Sequence, residues 1–230
     1  MEVTNKFRIY PRHATLWPLV APRLKPGELA HDRHHLERIY VWMLRLAPEA
    51  GADADCCGAA ALVHDLAFIP KESPERSLGG ARSAELAGDL LRTAGYDAAE
   101  VEAIAAAVAT SSWSRGLAPA NAIGVALQDA DRLDAIGALG LLRNIACGQD
   151  MALRKSPENA GGFYHPEDPF AAGGRPLDDR TWVVDHLPAK LLKLAAGMRL
   201  PSAQAEAQRR HAFLLAFRAQ LAGELGLTLP

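Results

Sequence analysis

Three short segments concentrate imidazoles and carboxylates where the surrounding sequence is otherwise apolar. The first is His31-Asp32-Arg33-His34-His35-Leu36-Glu37-Arg38-Ile39. His31 and His35 are one helical turn apart, so both can face the same side, with Arg38 three residues further on. The second is Leu62-Val63-His64-Asp65-Leu66, which closes a strongly apolar stretch. A His beside an Asp at the end of a buried helix is costly without a partner. A divalent cation satisfies both, neutralising the carboxylate and taking the imidazole lone pair. The third is Leu127-Gln128-Asp129-Ala130-Asp131-Arg132-Leu133-Asp134, whose aspartates require either solvent or a cation. Asp129 and Asp131 lie about 200° apart on a helix, so they should not both point at one ion. Each segment alone has a plainer explanation: a lone His is commonly structural, a His-Asp pair arises by accident, and a solvated face accommodates one or two aspartates. Their order along one chain is what argues for a common site.

The elements that must position these groups are helical. Aromatic residues make up 6% of the chain while Ala and Leu abound, a composition that favours helices over strands. Leu36, Ile39, Tyr40, Met43 and Leu44 recur at helical intervals and place a first long helix over Pro26 to Leu46. Asp53 or Asp55 can cap a second helix through Cys56, Ala60, Leu62 and Val63 that ends at His64-Asp65, near Pro70. Being apolar on most sides, it belongs at the centre of a bundle. Ser73-Pro74-Glu75 reads as the start of a helix to Ala94, stopped at Gly95, and Asp97-Ala98-Ala99-Glu100 has capping-box spacing for a helix to about Thr110. One helix is expected over Ala120 to Cys147, another over Asp179 to Met198, and a last one from Pro201-Ser202 through Phe217. Between them, the Gly- and Pro-rich stretch 156–179 reads as a long loop of the kind that is often functional. The expected fold is all-α, one domain over residues 1–230, with its motif-bearing core at about 26–147, the loop at 156–179 and C-terminal helices at about 179–226.

Composition excludes several roles. A formal net charge of −2 does not suit a nucleic-acid polymer as partner. None of Cys56, Cys57 and Cys147 sits in a C-x-x-C pair, so a thiolate zinc site is not expected, and adjacent Cys56 and Cys57 read as core residues. No apolar run has the length of a signal peptide or membrane span, and a cytoplasmic location is expected. No Ser-His-Asp order or phosphate-cradling Gly motif competes with a metal site; Gly161-Gly162 and Gly173-Gly174 read as loop turns.

The segments HDRHHLERI, AALVHDLAF, LQDADRLDAIGALGLLR and HLPAKLLKL, taken in that order from His31 to Phe217, resemble the HD-domain superfamily of metal-dependent phosphohydrolases, in its small single-domain bacterial branch. DADRLDAIGA, combined with the others, is the specific part of the match. The resemblance implies an HD-type helical bundle in which His35, His64, Asp65 and Asp131 ligate one metal, with Asp131 preferred to Asp129. It implies Mn²⁺ first, with Fe²⁺, Ni²⁺, Co²⁺ or Mg²⁺ as alternatives, since imidazoles suit Mg²⁺ less well. Asp65 is then expected to orient the nucleophile and His31-Asp32 to line the pocket or orient His35, while Arg38 pairs with Asp32, Asp134 or a substrate phosphate. These four are the residues expected to serve catalysis. Lys190, Lys193, Arg132 and Arg143 are expected to hold the substrate, and Tyr164, His165 and Trp182 flank the long loop where a base can stack.

The implied reaction is hydrolysis at phosphorus of a small phosphorylated molecule, a nucleotide in the first instance, including cleavage of nucleoside triphosphate to monophosphate and pyrophosphate. Alternatives are a cyclic-nucleotide-type phosphodiesterase and a degenerate HD protein that binds a nucleotide without turnover. Two departures motivate the last: Ser111 stands where relatives often carry a His, and Ile123 where a glutamate is common.

Overall fold

The computed structural model describes residues 7, 9–69, 73–155, 158 and 161–229. Among these there are nine α-helices and no strand. The chain divides into two compact units, one formed by Met1–Asp131 with Arg199–Pro201 and the other by Arg132–Met198 with Ser202–Pro230.

The first unit is organised around α3 (Ala54–Val63), in which every residue from Cys56 to Val63 is buried. Small side chains make this possible: a helix of Ala, Gly and Cys lets neighbours approach on all sides. It packs against α1 (Pro11–Val20), α2 (Arg33–Ala50), α4 (Gly79–Thr93) and α5 (Ala98–Ala109), the central position its apolar surround implies. At Gly58 the approach is so close that a Cβ would lie 2.3 Å from His13 Cε1. His13, fully buried, bonds Tyr40 Oη through Nδ1 (2.7 Å) and reaches Asp55 through Nε2 (2.8 Å). Arg12 Nε and the Tyr96 hydroxyl donate to the same Asp55 carboxylate at 2.9 and 2.6 Å. This polar knot ties α1, α2 and α3 to the start of α5. Burial, the largest influence on His13, lowers its pKa and keeps it neutral within the knot.

The caps fall where side-chain chemistry requires them. Asp53, not Asp55, caps α3, accepting from Cys56 N at 2.8 Å. Asp97 and Glu100 form the capping box of α5. Ser73 caps a 3₁₀ turn, Pro74–Leu78, before α4 begins, and Pro70 lies outside the described residues. The first long helix differs from expectation. It starts at Arg33 and runs to Ala50, because Asp32 accepts from His35 N and because Gly27 has φ +77°, incompatible with a helix from Pro26. Helix α1 was not expected at all.

In the second unit, the anticipated single helix over Ala120 to Cys147 is two. Helix α6 (Ala122–Asp134), whose residues up to Asp131 belong to the first unit, ends before α7 (Gly137–Arg154). Gly137 adopts φ +77° at the corner, and a Cβ on Gly140 would fall 2.3 Å from Ala135 O, so the turn is closed backbone on backbone. The region expected as a helix over Asp179 to Met198 is instead a 3₁₀ turn (Val183–Asp185), a π-helical turn (Leu187–Leu191), a short α8 (Leu192–Leu194) and a second 3₁₀ turn (Ala195–Gly197). Pro188 lacks the N–H that a regular helix needs, and Asp185 is buried against Arg175. Residues 156, 157, 159 and 160 of the long loop lie outside the described residues. The remainder is well tied: Gly162 pairs with Trp182 in a parallel bridge, and Asp168 caps the turn at Ala172 and Gly173. The last helix, α9 (Pro201–Glu224), continues beyond the expected Phe217.

Candidate metal centre

Each segment singled out in the sequence delivers its ionisable group to one place in the first unit. The Asp32 cap fixes the first turn of α2, whose buried His35 is fully enclosed. Helix α3 ends at His64, whose Nδ1 lies 2.9 Å from Ala61 O. A carbonyl can only accept, so Nδ1 carries a proton, and in the neutral ring Nε2 presents its lone pair. The next residue, Asp65, stands in the turn beyond the helix, and Asp131 enters from α6.

His35 Nε2 and His64 Nε2 are 3.2 Å apart. Asp65 Oδ2 is 3.5 Å from both, and Asp131 Oδ1 is 3.8 Å from His35 Nε2. Ligand atoms of His35, His64 and Asp131 all lie within 4.8 Å of one another, close enough to share a metal ion. Two buried imidazole nitrogens and the Asp131 carboxylate, with Asp65 beside both imidazoles, fit a divalent cation, because the set combines neutral N donors with negative charge. The carboxylate side chains keep 33% and 35% of their surface exposed, so the cluster is open on their side. Burial pushes the Asp65 carboxyl up. The imidazole of His64, the hydrogen bond from His35 and the nearby rings of His31 and His35 outweigh it and hold Asp65 well below the usual carboxylate range.

Asp129 is engaged elsewhere, as the 200° offset requires. Fully buried, it accepts through Oδ2 from Arg199 N (2.9 Å) and Leu200 N (2.8 Å). Asp32 acts on the His35 backbone as N-cap. His31 precedes α2 rather than lying in it, yet its ring stands edge-on to His35, centroids 5.7 Å apart. Arg38 is half-buried on α2. Ser111 and Ile123 are both nearly buried, Ser111 close beside Gly80 of α4.

The residues expected to bind substrate lie in the second unit. Arg143 donates to the buried Asp134 at 2.8 Å, an ion pair that the sequence did not separate from a phosphate contact. Arg132 donates to Gly197 O at 3.1 Å. Lys190 is half-buried in the π-helical turn, and Lys193 is exposed. His165 accepts at Nδ1 from Glu167 N and Asp168 N and meets the Trp182 ring edge-on, so both rings help to fold the loop.

Sequence reasoning missed Glu28. Nearly buried, it accepts from Ala30 N (2.9 Å), His31 N (2.6 Å) and His31 Nδ1 (2.8 Å). A Glu three residues before a His was the available signal.

No family model matches the chain. A curated relative, the uncharacterized protein YpgQ of Bacillus subtilis, is 31% identical over 195 residues, spanning 83% of this chain and 82% of its own length. Its crystal structure in complex with ADP superposes with a TM-score of 0.63 at 24% identity, over 92% of this chain and 96% of that one. A crystal structure from Lactobacillus plantarum matches with TM-score 0.72 at 27% identity, over 98% of this chain and 99% of that one. That of an HD-superfamily hydrolase from Bacillus thuringiensis matches with TM-score 0.65 at 26% identity, over 94% and 97% of the two chains. No helix among the described residues is long and apolar enough to cross a membrane.

Proposed function

The chain belongs to the HD-domain superfamily, and from that premise we propose that it is a divalent-metal-dependent phosphohydrolase acting on a nucleotide. The observation that carries this reading is the convergence of His35 from α2, His64 and Asp65 from the end of α3 and Asp131 from α6: His35 and His64 lie 3.2 Å apart, Asp65 3.5 Å from both, and Asp131 3.8 Å from His35. These four residues hold the ion, with Mn²⁺ as first choice. A bound divalent cation supplies counter-charge for the phosphoryl group and activation of water at neutral pH.

The chain's own groups do the rest. The Ala61 carbonyl holds His64 in the neutral tautomer whose Nε2 lone pair is the metal donor. Asp65, kept ionised by its histidine neighbours, is a pure acceptor and orients the attacking water. Buried His35 and His64 restrict water on one side, while the exposed edge formed by Asp65 and Asp131 admits the phosphate. The nucleotide preference is supported by the ADP held by YpgQ.

Purified protein incubated with Mn²⁺ and a panel of nucleoside tri-, di- and monophosphates and cyclic nucleotides tests the proposal. Release of phosphate or pyrophosphate that disappears in His64→Ala is the expected result. Cleavage of cyclic nucleotides alone transfers the assignment to a phosphodiesterase. Bound metal and nucleotide without turnover of any phosphate ester overturns the enzymatic reading in favour of a binding protein.

A further inference from the structure

Glu28 spends a nearly buried carboxylate on three donors, two of them from His31. A carboxylate withdrawn from water is costly unless it is fully engaged, and here the engagement is directed at one imidazole. Burial raises Glu28, but the bonds from His31, Ala30 N and His31 N overcome it and bring its carboxyl down to about 2. Through the working pH range Glu28 therefore only accepts. His31 Nδ1 must then be a donor, and in neutral His31 the lone pair sits at Nε2. The same ring stands edge-on to the metal-centre residue His35, centroids 5.7 Å apart. A purely local role, bracing the turn before α2, needs only the backbone bonds to Ala30 and His31. The bond to Nδ1 is additional, and it fixes both the plane and the tautomer of a ring beside the donor cluster.

We propose that Glu28 is a positioning residue for the reaction: by accepting the Nδ1–H of His31 it presents His31 Nε2 as a hydrogen-bond acceptor that orients the attacking water. The inference rests on the phosphohydrolase reading for its consequence, and on the Glu28–His31 geometry for its content. Loss of a supporting group of this kind costs about 10–100-fold in activity.

The test has two arms. In metal-free protein at alkaline pH, ¹⁵N NMR of labelled His31 reads the tautomer directly. Wild type is expected to show the Nδ1–H form, Glu28→Gln to retain it through its remaining amide oxygen, and Glu28→Ala to lose it. A mixed or Nε2–H tautomer in wild type overturns the proposal whether or not the protein turns over any substrate. In the Mn²⁺-dependent assay, Glu28→Ala is expected to lower kcat about 10–100-fold with KM and Mn²⁺ affinity little changed, and Glu28→Gln to recover most of it. In a His31→Ala background, Glu28→Ala should cost nothing further. Unchanged kcat in folded Glu28→Ala, or an equal loss in the His31→Ala background, overturns the proposal and reduces Glu28 to a brace for the turn. Absence of turnover in wild type overturns the hydrolase reading and with it the catalytic consequence, while the tautomer arm still decides the positioning.

Discussion

Two aspartates two residues apart on α6 should fail in opposite ways when each loses its charge. Asp129 is fully buried and accepts two backbone N–H groups, from Arg199 and Leu200. Hydrogen bonds to a charged acceptor are each worth about 1.5–3 kcal/mol. Asn keeps one oxygen as acceptor but removes the charge, so Asp129→Asn should cost about 2–3 kcal/mol, less than the about 3–6 kcal/mol of the two charged bonds together. At about 2–4 °C per kcal/mol for a chain of this size, Tm should fall by about 4–12 °C. Mn²⁺ affinity of the folded variant should be unchanged. Asp131, about a third exposed and 3.8 Å from His35 Nε2, contributes at most about 1 kcal/mol in the metal-free protein. Asp131→Asn should therefore melt close to wild type in chelator. Its Mn²⁺ affinity should drop by more than about 100-fold, beyond what the loss of a merely supporting group costs. Urea and thermal unfolding in chelator, with calorimetric Mn²⁺ titration of each folded variant, give both quantities. If the two variants lose metal affinity together, or if Asp129→Asn leaves stability untouched, the division of labour on α6 is wrong.

Other consequences are as definite. Gly58→Ala places a Cβ 2.3 Å from His13 Cε1 and 2.9 Å from His13 Nε2 and Tyr40 Cε2; overpacking of about 1–3 kcal/mol plus strained bonds to His13 should lower stability by about 2–4 kcal/mol in urea titration. A fall in acid stability should follow Glu28: its carboxyl is depressed when folded, so its contribution is present in full above about pH 4.5 and is lost as pH falls towards about 2. That loss amounts to about 3 kcal/mol, and Glu28→Gln should remove this part of the pH dependence in unfolding curves across the range. In the second unit, Asp185 is buried and meets Arg175 in a two-point pair at 2.6 and 2.7 Å. Asp185→Ala should destabilise by about 3–5 kcal/mol and open residues 161–185 to limited proteolysis; an unchanged cleavage pattern contradicts that role.

What could be read in the sequence was local or carried by motif order. Asp97 with Glu100 and the unbroken apolarity of Cys56–Val63 declare themselves through short-range chemistry, and the structure agrees, while Ser73 caps a 3₁₀ turn ahead of the expected helix. The two-residue offset of Asp129 and Asp131 was legible as a helical angle, and the structure turns the two side chains to different partners. The corner at Ala135–Gly137 was hidden, because an apolar run containing Gly reads as continuous helix until the backbone φ of Gly137 is known. Helix α1 was hidden for a related reason: what holds it is His13 and Arg12 bonded to Asp55, a partner more than forty residues away. Glu28 was missed because a single carboxylate in a turn looks solvated, and only its burial reveals otherwise. The second-unit cations were visible as residues, but sequence did not distinguish Arg143, bound to Asp134, from a group left for substrate.

Diffraction from crystals grown with Mn²⁺, recorded at the metal's absorption edge, addresses the centre itself. The expected map holds an anomalous peak bonded to His35 Nε2, His64 Nε2 and the carboxylates of Asp65 and Asp131. Full Mn²⁺ occupancy elsewhere in the molecule, with no peak among those four side chains, contradicts the account at its root.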